Sequence, residues 1–521
     1  MAPRTGSAPG PDAEEGDDRD GDGRRDAAVT LSVLMTTEGT YPHAAGGVST
    51  WCDALLRNTP EVRYTLLPLM MNPHIELKYE PPPNVRRILN VPLWGVEEPA
   101  EFITDIPFAT LFDRKRQTSA EAVETEFVPL LREFLAFVNG GSDVERFGRT
   151  LVAMEDYFRA CDYNDTFKAP ATWRAFRAEM EAFSKRSREP LPGPEHRLPS
   201  LFDLTECLRW LYRFLIVLNA RPPRVNVTHA TAAAFCGIPC ITAKVRHGTP
   251  MILTEHGVYL REQYLFLSRF RRLFFCKQFL LNLITAIVRA NYHFADVIAP
   301  VCHYNTRWEV AHGAPQHKIR VIYNGVDPDV WTLGPETSSA QVVATARIDP
   351  LKDIETFLRV AKRVRETHPG VRFTVFGAVA DERYYKRVLA LRAHLKLDGV
   401  VTLGAPAPDV VAALHDADVV LLTSISEAFP YSVLEAMSCG KAVVASDVGG
   451  VSEALEGCGV LVKPRDDEAF AREVRTLLDS RATRQRLGAK ARARVLDEFR
   501  LDHAIGSYLD LYRDLSKRMA A

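Results

Sequence analysis

Between Asp418 and Ala445 the chain changes its hydrophobic period twice, and no other stretch narrows the fold as much. Asp418-Val-Val-Leu-Leu422 is a short apolar run of the kind that forms a strand buried on both faces. The loop Ser424-Ile-Ser-Glu-Ala428 follows. After it comes an apolar-periodic helix with Val433, Leu434, Ala436 and Met437, ended by Gly440. Ala442-Val-Val-Ala445 is a second buried strand, and it runs into Asp447-Val-Gly-Gly450. Strand, helix and strand in so few residues make a βαβ unit, which requires a parallel sheet with helices on its faces.

Two carboxylates mark this unit. Glu427 is in the loop after the strand, and Glu435 is about a turn into the helix. In an open α/β sheet, ligands bind at the carboxyl ends of the strands. The helix N-terminus that follows favours anions. A ligand with both hydroxyls and phosphate, such as a nucleotide sugar, suits that pairing. The plainer alternative is that Glu427 caps the helix and Glu435 faces solvent.

At 521 residues the chain is too long for one hydrophobic core, so two or three domains are expected. Its 65 basic and 66 acidic residues leave a formal net charge of −1, which gives no basic field for nucleic acid. Nine cysteines are scattered. Cys236 and Cys240 are the closest pair, without further metal ligands nearby, and with no secretory signal the reading is a cytoplasmic protein with reduced thiols. Leu273 to Val288 is the most hydrophobic segment, but Lys277, Gln278 and Asn282 interrupt it. It reads as a buried or amphipathic helix rather than a membrane span. Attachment to a membrane surface through it and Arg269, Arg271 and Arg272 is the alternative.

Residues 1–28, rich in Gly, Pro, Asp and Arg, cannot bury enough apolar surface to fold and are expected to be disordered. Asp18 to Gly23 imitates the start of a calcium loop. Val29 stands where the twelfth-position Glu is needed, so calcium is excluded. A first domain is expected over 29–330. It opens with the strand Thr30–Met35, a loop containing Gly46 and Gly47, and a helix from Ser49. A mainly helical insertion is expected at about 75–205. The α/β rhythm returns at 224–230, ending near His229, with a helix expected over Thr231–Cys236. Another strand ends at Glu255-His256. A second domain is expected over 331–500 and a C-terminal helix over 501–521. The fold class is α/β, with two Rossmann-like domains and a cleft between them.

Arg347 and Lys352 follow the first strand of the second domain, on the sheet edge that also carries Glu427. Fixed cations there can stabilise the charge developing on a departing diphosphate. No Asp-x-Asp has a suitable context, so neither metal nor cofactor is expected. The alternative for the two cations is a surface pair beside Asp349 and Asp353.

The pattern Arg347…Lys352…Glu427-x7-Glu435 resembles glycosyltransferase family 4, the retaining GT-B glycosyltransferases. Three further pieces are similar to its PelF branch: Glu38-Gly-Thr-Tyr-Pro with Gly46-Gly-Val48, Leu253-Thr-Glu-His-Gly-Val-Tyr-Leu-Arg-Glu262, and Ala428-Phe-Pro-Tyr-Ser-Val-Leu-Glu-Ala436. The resemblance covers nearly all of the chain from about residue 30. It implies a retaining hexosyltransferase using a UDP-sugar, with UDP-glucose first, on a saccharide or other hydroxyl acceptor in exopolysaccharide synthesis. It leaves open a peripheral contact with a membrane polysaccharide complex.

By position, the resemblance implies that Arg347 and Lys352 hold the donor diphosphate and Glu427 meets the sugar hydroxyls. Amides around Phe429, Pro430, Tyr431 and Ser432 reach sugar and phosphate, and Glu435 accepts the ribose hydroxyls. Gly46 and Gly47 admit the diphosphate, His256 faces the sugar and His229 lines the acceptor side. The C-terminal helix is implied to cross back to the first domain. Many members have Gly-Phe-Gly after the first Glu. Ala428-Phe429-Pro430 here lacks one amide donor. The rival readings are a GT-B epimerase, a sucrose- or trehalose-type synthase, and an inactive donor-binding subunit.

Overall fold

A computed structural model describes residues 31–94, 106–186, 198–268, 274–335, 339–404 and 409–520. The N-terminal tail 1–28, most of the loop 186–199 and the arginines 269, 271 and 272 lie outside the described residues.

Two parallel sheets organise the chain. The first is built from β1 (Ser32–Glu38), β2 (Arg63–Met70), β3 (Val85–Ile88), β4 (Val91–Pro92), β5 (Val227–Ala230), β6 (Met251–Glu255) and β7 (Val297–Pro300). Their order is β3-β2-β1-β5-β6-β7, with β4 beside β2. The second comprises β8 (Gln341–Thr345), β9 (Arg372–Phe376), β10 (Val401–Leu403), β11 (Val419–Leu422), β12 (Ala442–Ser446) and β13 (Val460–Val462), in the order β10-β9-β8-β11-β12-β13. With β4 set aside, both sheets run 3-2-1-4-5-6, the doubly wound order. The apolar run in β11 is buried at every position, as a central parallel strand with helices on both faces requires.

That order positions the site. The winding reverses beside β1 in the first sheet and beside β8 in the second, and ligands bind at the carboxyl ends of strands at such a switch point. Gly39 follows β1 and His256 follows β6, while Arg347 follows β8 and Glu427 follows β11.

The insertion at 75–205 is mainly helical from Phe108 on, and before that β3 and β4 extend the first sheet. One local expectation is corrected: Thr231–Cys236 is not a helix. The chain makes a tight turn at Phe235–Gly237, and the helix runs over Ile238–His247 with Pro239 in its first turn, where the missing proline N–H costs nothing.

The helix Leu501–Ala520 returns to the first sheet. Tyr508, Leu511, Tyr512 and Leu515 are buried in one cluster with Val33 and Met35 of β1, Val227 of β5 and Trp51. Two strand-like crossings connect the domains and bond to each other: Val326 N donates to Phe499 O at 2.9 Å, and Leu501 N to Val326 O at 2.9 Å.

Candidate active site

A cleft of about 490 Å³ opens between the carboxyl edges of the two sheets. Gly46, Gly47 and His256 line one wall, and Arg347, Lys352, Glu427 and the segment Phe429 to Ser432 line the other. Residues from widely separated parts of the chain thus share one opening.

The charged wall is held by bonds between the loops that follow β8 and β11. Beyond β8, the Asp349 side chain accepts the Leu351 amide at 2.8 Å and caps a single tight turn, Pro350–Lys352. That turn is tied to the end of β11: Ile425 N donates to Leu351 O at 2.8 Å, and Thr423 Oγ1 to Lys352 O at 3.0 Å. Lys352 Nζ is thereby brought to 2.5 Å from Glu427 Oε1, in a pair largely withdrawn from water. Arg347 is more exposed and only loosely engaged, 3.6 Å from Asp349.

The Glu427 loop is packed from behind by Asp447-Val-Gly-Gly450. A Cβ at Gly449 would come within 1.7 Å of Glu427 O, and Gly450 N donates to Ala428 O at 2.6 Å. Only glycine fits so close an approach, and Gly449 also has φ of +60°. The Phe429 ring turns away from the opening into a cluster with Tyr323 and Phe499, at 4.9 and 5.2 Å. Phe429 therefore offers the cleft its backbone. Pro430 precedes the helix Tyr431–Ser438; Val433 N donates back to Pro430 O at 3.2 Å, which leaves the Tyr431 and Ser432 amides at a helix start on the cleft wall.

Glu435 is half-buried and is not among the residues lining the opening. Burial pushes its carboxyl up to about 7.

The other wall is nearly uncharged. Tyr431 reaches across to it, its ring 3.7 Å from where a Gly47 Cβ would stand. His256 packs edge-on against Trp51 at 4.7 Å, and its Nε2 is buried with no hydrogen-bond partner. Burial pulls its pKa down to about 3, so the ring stays neutral at physiological pH.

His229 needs correcting. It is fully buried and does not line the cleft. Its Nδ1 bonds Tyr512 Oη at 2.7 Å and its Nε2 bonds Thr254 Oγ1 at 2.8 Å, so both nitrogens are used in joining the C-terminal helix to β5 and β6. A strand-end His that belongs to the core looks the same in sequence as one that faces a ligand. Residues missed by the sequence reading include Asn324 and Thr345, which also line the cleft. Asn324 Nδ2 donates to Phe429 O at 2.9 Å. Its place in the loop leaving the first domain was visible, but its packing against a loop about a hundred residues away was not.

Among the described residues, no group of three or more His, Cys, Asp or Glu side chains is arranged to hold a metal ion. All nine cysteines are free and buried. No described helix is long and apolar enough to cross a membrane.

Comparison with known proteins places this architecture. The chain belongs to the family described as "Domain of unknown function (DUF3492)", whose model matches residues 31–317, more than half of its length. Residues 329–494 match the model of "Glycosyl transferases group 1", so the second domain carries a group 1 glycosyltransferase module.

Among curated relatives, a glycogen synthase from Mycobacterium tuberculosis is 32% identical over 188 residues, covering 35% of this chain and 45% of the relative. A D-inositol 3-phosphate glycosyltransferase from Acidothermus cellulolyticus is 32% identical over 255 residues, covering 44% and 56%. The chain spans about half the length of the curated relatives it matches.

Two solved structures share the fold over nearly all of both chains. Sucrose-phosphate synthase from Thermosynechococcus elongatus has a TM-score of 0.58 at 17% identity, covering 93% of this chain and 99% of the other. Anabaena Alr3699/HepE, solved in complex with UDP, has a TM-score of 0.56 at 13% identity, covering 93% and 100%. The fold is GT-B.

Proposed function

We propose that the protein is a retaining glycosyltransferase that moves a hexosyl group from a UDP-sugar, UDP-glucose first, to a saccharide acceptor, and that it belongs to a PelF-like branch serving exopolysaccharide synthesis. One observation carries this reading. Gly46, Gly47, His256, Arg347, Lys352 and Glu427 come from distant parts of the chain and line one cleft. A diphosphate at the Tyr431–Ser438 helix start would meet the Tyr431 and Ser432 amides and the Lys352 ammonium. Glu427, already holding Lys352, would share that cation with the ligand and turn its second oxygen to the sugar hydroxyls.

A neutral His256 can bond the sugar without competing for the diphosphate. The acceptor oxygen then attacks C1 on the face the leaving UDP vacates, and the donor phosphate takes its proton. No protein group is assigned as the general base. Arg347 and Lys352 supply the positive charge at the leaving group, which is why we read the reaction as metal-independent. UDP and UDP-glucose are the ligands named with the Anabaena HepE structures, and this supports a UDP-sugar donor.

The test incubates the protein with UDP-glucose and other nucleotide sugars, with and without oligosaccharide acceptors and with chelator. UDP release is measured, and the product's anomeric configuration is read by NMR. Transfer with retention, undiminished by chelator, is expected. Free epimer or a disaccharide would replace this reading with an epimerase or a small-acceptor synthase. UDP binding without turnover would make the protein a donor-binding subunit.

A further inference from the structure

The helix His303–Ala311, which follows β7 in the first domain, has no side-chain cap hydrogen bond from its N-cap residue Cys302, whose thiol sits beside the Tyr304 and Asn305 amides. Its first turn is capped instead by a residue 150 positions away in the second domain. Glu453 Oε2 accepts the His303 amide at 2.8 Å, and Glu453 Oε1 accepts the Tyr304 amide at 2.5 Å. Tyr323 Oη also donates to Oε2 at 3.2 Å. A carboxylate bonded to two first-turn amides satisfies orphan donors and lies at the positive end of the helix dipole.

Both ends of this arrangement lead to the cleft. Glu453 lies just beyond Gly449 and Gly450, the pair packed against the carbonyls of Glu427 and Ala428, and Gly450 also abuts Cys302. At the far end of the helix, Glu309 is fully buried beside Glu255, the residue immediately before His256. Glu255 is anchored in turn by Tyr292 Oη at 2.7 Å and the Tyr259 amide at 3.2 Å. A rigid helix thus joins the back of the Glu427 loop to the strand end that presents His256.

We propose that Glu453 is a positioning residue: by gripping the first turn of His303–Ala311 it sets the spacing between Glu427 on one wall and His256 on the other. It touches no substrate. Its effect is on the geometry in which both walls meet the sugar, so turnover depends on it more than donor affinity does. This rests on the function proposed above.

The test compares Glu453→Ala and Glu453→Gln with wild type in the full chain. Steady-state transfer, UDP affinity by calorimetry and amide hydrogen exchange are measured for each. With Ala, kcat should fall about ten- to a hundredfold, since misplacement on the ångström scale costs that much, while UDP affinity stays within about twofold. Gln keeps one good acceptor and should recover part of the loss. It also carries the test if the Ala variant does not fold. Exchange should rise at 303–311 and also at 255–259. An unchanged kcat overturns the proposal, and so does a loss of UDP affinity as large as the loss of kcat. If wild type neither binds UDP nor transfers sugar, the function reading fails instead. Exchange alone then decides the coupling: deprotection at both segments supports it, and deprotection confined to 303–311 overturns it.

Discussion

The two walls of the cleft are built by opposite means. The second-domain wall is charged and held by bonds between the loops after β8 and β11, with Arg347, Lys352 and Glu427 shortly beyond the strand ends that carry them. The first-domain wall is glycine, small polar residues and a neutral histidine, with its rigidity coming from behind: Trp51 against His256, and Tyr508 against Trp51 at 5.1 Å. One wall acts by charge and the other by shape. Breaking the first should remove chemistry, while breaking the second should loosen fit.

The largest effect is expected at the Lys352–Glu427 pair. Lys352→Ala and Glu427→Ala should each lower kcat by roughly 10²–10³, the scale of one lost charge-stabilising group. Because the two side chains bond each other at 2.5 Å, the double variant should be little worse than either single one. Losses that multiply in full would mean the pair does not act as a unit.

On the opposite wall, His256→Ala should cost less, on the order of ten- to a hundredfold in kcat. With its pKa depressed to about 3, His256 should leave no inflection in a pH–rate profile between pH 5 and 9. An inflection there that disappears in the His256→Asn variant would contradict a neutral role.

This contrast also explains what could be read from sequence. Charged residues at strand ends announce themselves, because a parallel strand is an apolar run and the next charge stands out against it. The two Rossmann-like parallel sheets and the positions of Lys352 and Glu427 at their carboxyl edges were legible for that reason; the strand order was not. Glu453 was not, because a carboxylate two residues into a short helix resembles any first-turn acid. Its partners, the His303 and Tyr304 amides, are defined only by tertiary packing. His229 failed in the other direction. Strand-end position suggested the cleft, but the returning C-terminal helix, whose tyrosine claims its Nδ1, covers it. Such long-range closures leave no local pattern.

If Glu435 accepts the ribose hydroxyls, as the resemblance implies, it separates affinity from turnover. Its carboxyl, raised to about 7 by burial, accepts hydroxyl donors best when ionised. Donor affinity should therefore weaken as pH falls below about 7, by roughly tenfold at pH 5.5, while kcat changes little. Glu435→Gln should remove this pH dependence and show the weaker affinity at all pH values. The folded-state stability runs the opposite way. A carboxyl whose folded pKa is raised favours the folded state at low pH and loses that contribution as pH climbs from about 4.5 to 7, so the Gln variant should gain thermal stability over wild type at pH 8. Binding and unfolding titrations that inflect together near pH 7, both abolished in the variant, would assign them to this group.

The smallest effect on turnover is expected at His229, where the comparison of walls is sharpest. If the side chain belongs to the core, His229→Leu removes the buried bonds to Tyr512 and Thr254, leaving Thr254 its bond to Tyr508, and costs about 1–3 kcal/mol of stability. At a temperature where the variant is fully folded, KM for donor and for acceptor should match wild type. The loss should appear in chemical denaturation as a lower midpoint with an unchanged slope. A raised acceptor KM without a shift in the midpoint would return His229 to the cleft, and the first-domain wall would then act by direct contact as well as by shape. Tyr512→Phe, which removes only the hydroxyl bonded to Nδ1, should reproduce part of the stability loss and none of any KM change.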